Sequence, residues 1–197
     1  MTAPRQGQRE YTVCVIDKSG SMQGPYDASL QKLDAAKRAN IAMVLEKATI
    51  DPDDQIGIVA FDSRAEVLLP LSPLRSHRQQ IIQTIQAIQI RGGTDINSGL
   101  KAARGMLDRL PSSVVGRIIL LTDGHGGHPI RTARKLKDNG VVIDVIGVGD
   151  HPTNVDEKLL KKVASVVQGE LKYRFIKDMH TLVTTYQGLA AKTALGS

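Results

Sequence analysis

The feature that most constrains the fold is the alternation, along the whole chain, of short apolar runs with amphipathic stretches of helical spacing. The strand-like runs are residues 11–16, 55–61, 65–71, 114–122, 141–148 and 171–176. The stretches in which apolar residues recur every three or four positions are residues 32–47, 77–90, 96–110, 129–139, 156–167 and 179–191. Strands that alternate with helices in this way form a parallel sheet covered by helices on both faces.

One connection departs from this alternation. Only Asp62, Ser63 and Arg64 separate the second and third runs, and so short a link requires a hairpin and an antiparallel strand. Pro70 is tolerated if that strand lies at an edge of the sheet. We therefore predict an α/β fold with a doubly wound, mostly parallel six-stranded sheet, one antiparallel edge strand and helices on both faces. Residues 1–10 are expected to be a disordered lead-in, and residues 11–193 a single domain.

Oxygen-bearing side chains follow the first run at every second position, as Asp17, Ser19 and Ser21. Such a set can converge where the chain curls away from the end of a strand. One carboxylate and two hydroxyls suit a hard cation such as Mg²⁺, which prefers oxygen ligands and takes few carboxylates from the protein. The segments Gly92-Gly93-Thr94-Asp95 and Thr122-Asp123-Gly124 could complete the site. Asp17 and Asp123 both close apolar runs, and parallel strands bring such ends to one edge of the sheet.

These three segments, in this order, resemble the von Willebrand factor A (VWA) domain family with a complete metal-ion-dependent adhesion site (MIDAS). The resemblance extends from about Tyr11 to the last helix. It implies that Ser19 and Ser21 bind Mg²⁺ directly and that Thr94 binds directly or through water. Asp17 and Asp123 would act mainly through waters or from behind the direct ligands. Mn²⁺ or Ca²⁺ could replace Mg²⁺.

The resemblance also implies a function, which is binding rather than turnover. The ion would keep one coordination position for an Asp or Glu carboxylate of a partner protein, so the domain would act as a Mg²⁺-dependent interaction module or adaptor and not as an enzyme. Taken singly, each of these residues also fits a turn or a helix cap, as Asp95 does before the third helical stretch, residues 96–110.

Sequence patterns of common enzymes are missing. There is no Gly-x-Ser-x-Gly nucleophile motif and no Gly-x-x-x-x-Gly-Lys-Ser/Thr phosphate loop. A metal-dependent phosphoester hydrolase remains an alternative because an Asp follows the first strand. Such enzymes normally carry a second Asp two residues later, where this chain has Ser19.

The charge distribution leaves a second alternative open. The net charge is +6, and all of the excess lies in residues 101–197, which carry 15 basic and nine acidic side chains. The chain has no Trp, two Phe and four Tyr, which argues against a base-stacking surface for nucleic acid. The basic residues are expected to form solvated helical faces. A scaffold that binds partners through this basic second half, with a purely structural metal, is therefore an alternative function.

The remaining features concern location and individual side chains. The N-terminus lacks an apolar signal segment, no run is long enough to span a membrane, and the single cysteine, Cys14, is expected in the core; together these favour a cytoplasmic protein. The short chain resembles bacterial stand-alone VWA proteins of the tellurium-resistance group. His125 and His128 could bind a softer metal or line the partner surface, but solvated loop histidines are the preferred interpretation. Lys18 is expected to be solvated, and the oligomeric state is left open.

Overall fold

The computed structural model describes residues 9–26, 30–191 and 194–195. Its strands, in chain order, are β1 (Arg9–Asp17), β2 (Gln55–Phe61), β3 (Ala65–Pro73), β4 (Val114–Thr122), β5 (Val142–Val148), β6 (Val166–Val167), β7 (Glu170–Leu171) and β8 (Tyr173–Ile176). Six of them form one sheet in the order β3-β2-β1-β4-β5-β8, and β6 pairs with β7 in a separate hairpin. Every neighbouring pair in the large sheet is parallel except β2 and β3. The predicted fold class is confirmed.

The helices are α1 (Lys32–Ile50), α2 (Leu74–Gln86), α3 (Ile96–Leu107), α4 (Ile130–Asp138), α5 (Glu157–Val163) and α6 (Met179–Ala191). Because successive strand side chains point to opposite faces, β1 supplies both halves of the core. Cys14 and Ile16 pack in a cluster with α1, α2 and α6, whereas Val13 and Val15 pack in a cluster with α3, α4 and α5. The sheet is therefore covered by three helices on each face.

The first strand begins at Arg9, two residues earlier than predicted, because the next residue is anchored. The Glu10 amide donates to Asp54 Oδ1 at 2.8 Å, and Glu10 is only 2 % exposed. The disordered lead-in predicted for residues 1–10 does not extend to these two positions, and its remaining residues, 1–8, lie outside the described part of the chain.

Several helices differ from their predicted limits, and α2 and α5 differ for reasons that the hydrogen bonds show. α2 starts at Leu74 rather than residue 77, since Leu74 N donates to Asp54 O at 3.0 Å directly after β3. α5 ends at Val163 rather than residue 167 because the next residues pair with β5. Ser165 N donates to Ile143 O, and Ile143 N donates to Ser165 Oγ, both at 2.9 Å. The chain then forms the β6–β7 hairpin, which was not predicted because residues 156–167 have the apolar spacing of a helix.

Charged side chains are buried between the sheet and α1. The Lys47 ammonium lies 2.7 Å from Glu10 Oε1 and 2.8 Å from Asp54 Oδ2, and Arg117 Nε lies 2.7 Å from Asp144 Oδ2. All five residues are at most 3 % exposed. Arg117 is therefore a basic residue of the second half that does not lie on a solvated face.

Candidate functional site

The carboxyl end of β1 carries the first element of the site. Asp17 is fully buried there, and its two carboxylate oxygens are both engaged. Oδ1 accepts the Ser19 amide at 2.9 Å, and Oδ2 accepts the Thr122 hydroxyl at 2.6 Å. Thr122 ends β4, which lies beside β1. The hydrogen bond therefore joins the loop that follows β1 (the first loop) to the loop that follows β4 (the third loop) across the sheet edge.

A chain of hydrogen bonds continues from the first loop to the third. A 3₁₀ turn over Gly20–Gln23 brings Ser21 back beside Ser19, with 3.1 Å between the two hydroxyl oxygens. Ser21 Oγ donates to Asp123 Oδ1 at 2.8 Å. Asp17, Ser19, Ser21 and Asp123 are thus brought together, although up to 106 positions separate them in the chain, from residue 17 to residue 123.

Thr94 belongs to the loop between α2 and α3 (the second loop), whose position is fixed by backbone contacts. Gly20 N donates to Gly92 O at 3.0 Å, so the second loop is tied to the first. Gly126 packs so closely against the second loop that a Cβ on it would lie 2.2 Å from the Thr94 carbonyl oxygen. Its φ of 134° is also one that side-chain-bearing residues rarely adopt. Thr94, half-buried, therefore sits between the first and third loops.

The next residue of the second loop, Asp95, has the helix-capping role predicted for it. Its side chain accepts the Asn97 amide at 3.0 Å at the start of α3, and its own amide donates to Asp62 O at 2.7 Å. This carboxylate holds the second loop in place at the start of α3.

Burial changes the acidity of the first carboxylate. Desolvation raises the pKa of the Asp17 carboxyl from 3.8 to about 6, while hydrogen bonds from Ser19 and Thr122 lower it and the charge of Asp123 raises it. When Asp17 is ionised in this buried position, its hydrogen bonds neutralise its negative charge only in part. A nearby cation would stabilise that charge.

One cation at the site was not anticipated from the sequence. Lys32, the first residue of α1, places its ammonium 2.8 Å from Asp123 Oδ2, and the two side chains are only 15 % and 6 % exposed. This lysine therefore binds the oxygen of Asp123 that Ser21 leaves free. No local sequence pattern predicts this contact, because Lys32 and Asp123 are 91 positions apart in the chain.

The prediction that Lys18 is solvated is wrong. Its side chain is 7 % exposed and its ammonium lies 3.2 Å from Asp62 Oδ2 and 3.5 Å from Glu66 Oε1. As strand alternation predicts, the Lys18 side chain points away from Ser19 and Ser21. It lies beside the β2–β3 connection instead, where it contacts the carboxylates of Asp62 and Glu66.

His125 and His128 are exposed, in the loop between Asp123 and α4. In residues 9–26, 30–191 and 194–195, no group of three or more His, Cys, Asp or Glu side chains is arranged to hold a metal ion. The donors gathered at the sheet edge are instead two carboxylates with several hydroxyls, and this oxygen set fits a hard divalent cation rather than a softer one.

Cys14 is buried in the core, as predicted, and burial raises the pKa of its thiol to about 12. Within the described segments no helix combines the length and apolarity that crossing a membrane requires.

Comparison with known proteins places these features in a family. The family model described as von Willebrand factor type A domain matches residues 12–125, which include Asp17, Ser19, Ser21, Thr94 and Asp123. An uncharacterized protein of Synechocystis sp. is 31 % identical over 169 residues, covering 81 % of this chain and 36 % of that protein. Calcium-activated chloride channel regulator 1 of Bos taurus is 27 % identical over 190 residues, covering 94 % of this chain and 20 % of the regulator. The chain thus spans only a fifth to about a third of these relatives.

Solved structures show the same fold. A von Willebrand factor type A protein from Catenulispora acidiphila superposes with a TM-score of 0.74 at 24 % identity, over 95 % of this chain and 43 % of that one. The PilB minor pilin of Streptococcus sanguinis superposes with a TM-score of 0.77 at 16 % identity, over 95 % of this chain and 62 % of the pilin.

Proposed function

Since the chain belongs to the von Willebrand factor type A domain family, whose members generally mediate protein–protein interactions, we propose that it binds a partner protein through a divalent cation held at the sheet edge. The ligand set is Asp17, Ser19, Ser21, Thr94 and Asp123. The ion is Mg²⁺, with Mn²⁺ or Ca²⁺ as substitutes. When bound, it supplies a positive centre that a carboxylate of the partner can ligate.

The observation that carries the proposal is the convergence of Asp17, Ser19, Ser21 and Asp123, which two separate stretches of backbone bring within hydrogen-bonding reach of one another. Asp17, Ser19 and Asp123 are buried and Ser21 is exposed, and a bound ion would replace the hydrogen bonds that these oxygens make among themselves. The serine oxygens have lone pairs to offer a cation, and the carboxylates balance its charge.

The donor set favours recognition over chemistry. Two carboxylates leave a divalent ion short of ligands and close to neutral, so an additional carboxylate binds it without a large repulsion. His125 and His128, the nearest imidazoles along the chain, are exposed and lie beyond the hydrogen-bonded set. Asp17 is poorly placed to act as a general base, because it is fully buried and both of its carboxylate oxygens already accept hydrogen bonds.

The proposal is tested first by metal binding, which isothermal titration calorimetry with MgCl₂ measures. We expect wild-type protein to bind Mg²⁺ and the Ser21→Ala and Asp123→Asn variants to bind it at least about tenfold more weakly, since each loses a ligand or its charge. Ser76→Ala and Asp108→Asn remove an exposed hydroxyl and an exposed carboxylate elsewhere and serve as matched controls.

Partner capture supplies the second part of the test. A protein retained from native lysate by the immobilised domain in Mg²⁺, and released by EDTA and by Asp123→Asn, would support metal-bridged recognition. A partner retained equally in EDTA and by the variant would contradict it. Turnover of a generic phosphoester that Asp17→Ala abolishes would instead favour hydrolysis. A cytoplasmic location and membership of the tellurium-resistance group stay predictions.

A further inference from the structure

Beside the site, α4 and α5 carry an unusually basic surface. The two helices contain seven basic and two acidic residues. We call the exposed part the α4–α5 surface: Arg131, Arg134 and Lys135 of α4 with Lys158, Lys161 and Lys162 of α5. A face of one sign attracts partners of the opposite sign and orients their approach.

Little of this charge is neutralised within the molecule. Lys161 pairs with Glu157 at 3.3 Å, but in the described part of the chain neither Arg131 nor Arg134 is paired with a carboxylate. The N-terminus of α4 adds to the field, because it has no side-chain cap and no acidic residue in its first turn. Placing Arg131 in that first turn is unfavourable for the helix itself. The arginines are therefore not explained by the stability of α4.

The basic side chains surround an apolar pocket. A cavity of about 340 Å³ lies between the helices and is lined by His128, Ile130, Arg131, Arg134 and Leu159. Ile130 is 37 % exposed although it is a large apolar residue. The pocket therefore offers an aliphatic floor within a cationic rim, which is complementary to one aliphatic side chain flanked by carboxylates.

The surface is continuous with the site. The loop that follows Asp123 leads through His128 into α4, and the same loop supports the start of α5, where Asp156 N donates to Gly124 O at 3.4 Å. Asp156 then caps α5 by accepting the Leu159 amide at 2.9 Å, which fixes Leu159 at the pocket. One extended segment of a partner can therefore reach both places.

We infer that the α4–α5 surface binds an acidic segment of the partner protein, with an aliphatic side chain in the Ile130–Leu159 pocket and carboxylates on Arg131 and Arg134. The inference rests on the proposed function only in taking the partner to be the one that ligates the ion. The occupant is an acidic peptide segment rather than a nucleic acid, because the floor of the pocket is aliphatic, formed by Ile130 and Leu159, and offers no Phe, Tyr or Trp on which a base could stack.

The test uses fluorescence anisotropy with a short labelled peptide rich in Asp and Glu that contains leucines. We expect the double variant Arg131→Ser/Arg134→Ser to weaken its binding about tenfold, since it removes two exposed charge pairs, each of which contributes modestly. Arg78→Ser/Lys101→Ser removes two exposed cations of α2 and α3 and is the control for net charge, with wild-type affinity expected. Ile130→Ser, and a peptide with serine in place of leucine, should each weaken binding severalfold.

Three results would overturn the inference: equal losses in the two double variants, equal affinity for the leucine-free peptide, or equal affinity for single-stranded DNA of the same charge. Absence of peptide binding to the wild type would do the same. Repeating the titrations in EDTA separates the two proposals. Loss of the Arg131/Arg134 effect with Mg²⁺ dependence intact contradicts only the inference, whereas loss of Mg²⁺ dependence with the arginine effect intact contradicts only the metal bridge.

Discussion

Replacing Lys32 with methionine is expected to tighten Mg²⁺ binding while destabilising the metal-free protein. The Lys32 ammonium holds Asp123 Oδ2 at 2.8 Å, so it competes for a site carboxylate and repels an incoming cation. Methionine keeps most of the length and apolar character of the side chain and removes the ammonium, with its charge and its hydrogen bond to Asp123. The two effects have opposite signs, which distinguishes them from general damage to the fold.

The magnitude follows from the burial of this ion pair, whose side chains are 15 % and 6 % exposed. A hydrogen bond to a charged group in such a setting contributes about 1.5–3 kcal/mol. Removing the competitor should therefore strengthen Mg²⁺ binding by about ten- to a hundredfold. In EDTA the free energy of unfolding should fall by about 1–3 kcal/mol, because Asp123 is left buried with one charged partner fewer.

Calorimetric titration with MgCl₂ measures the first effect, and urea unfolding in EDTA measures the second. Lys37→Met is the matched control: it lies on the same helix, where its ammonium is 3.9 Å from the exposed Asp34 and away from the site. Unchanged or weaker Mg²⁺ binding by Lys32→Met would refute the idea that the ammonium and the ion compete for Asp123.

Three further outcomes are expected. Lys47→Ala should lower the free energy of unfolding in urea by about 3–5 kcal/mol, because it removes the buried cation that contacts both Glu10 and Asp54, whereas Lys37→Ala should cost little; similar small losses would contradict the expected contribution of the buried ion pairs. Raised to about 6, the pKa of Asp17 makes ionisation unfavourable in the metal-free fold, so stability is gained as pH falls from about 6 toward 4 and lost as it rises. In EDTA, the stability of Asp17→Asn relative to wild type should therefore be highest above pH 6. A difference in melting temperature that does not change with pH would contradict the raised pKa of Asp17. Gly126→Ala should abolish Mg²⁺ binding while the far-ultraviolet circular dichroism stays native, since its Cβ would displace the Thr94 carbonyl; wild-type affinity would refute the role of this contact.

The fold was largely predictable because its signals are local and repeated. Apolar runs such as residues 55–61 are buried strands with those very limits, and the short connection at Asp62 made β3 antiparallel. Helix ends were less predictable, since they depend on distant groups. α5 stops early because Ser165 pairs with Ile143 across 22 positions, which helical spacing cannot reveal.

The candidate site was predictable in its residues but less so in its charges. Asp17, Ser19, Ser21 and Asp123 follow from strand ends that meet at one edge, and the structure brings them together. Lys32 could not be found in this way, since a lysine at the start of a helix has many possible partners until the strands are placed.

Metal binding at the sheet edge is tested most directly by the anomalous difference map of a crystal grown in MnCl₂. We expect a peak bound by the Ser19 and Ser21 hydroxyls, beside Asp17 and Asp123, with the Lys32 ammonium moved off Asp123. A map with no peak there, and with the Lys32–Asp123 contact intact, would contradict the claim that this sheet edge is a metal centre.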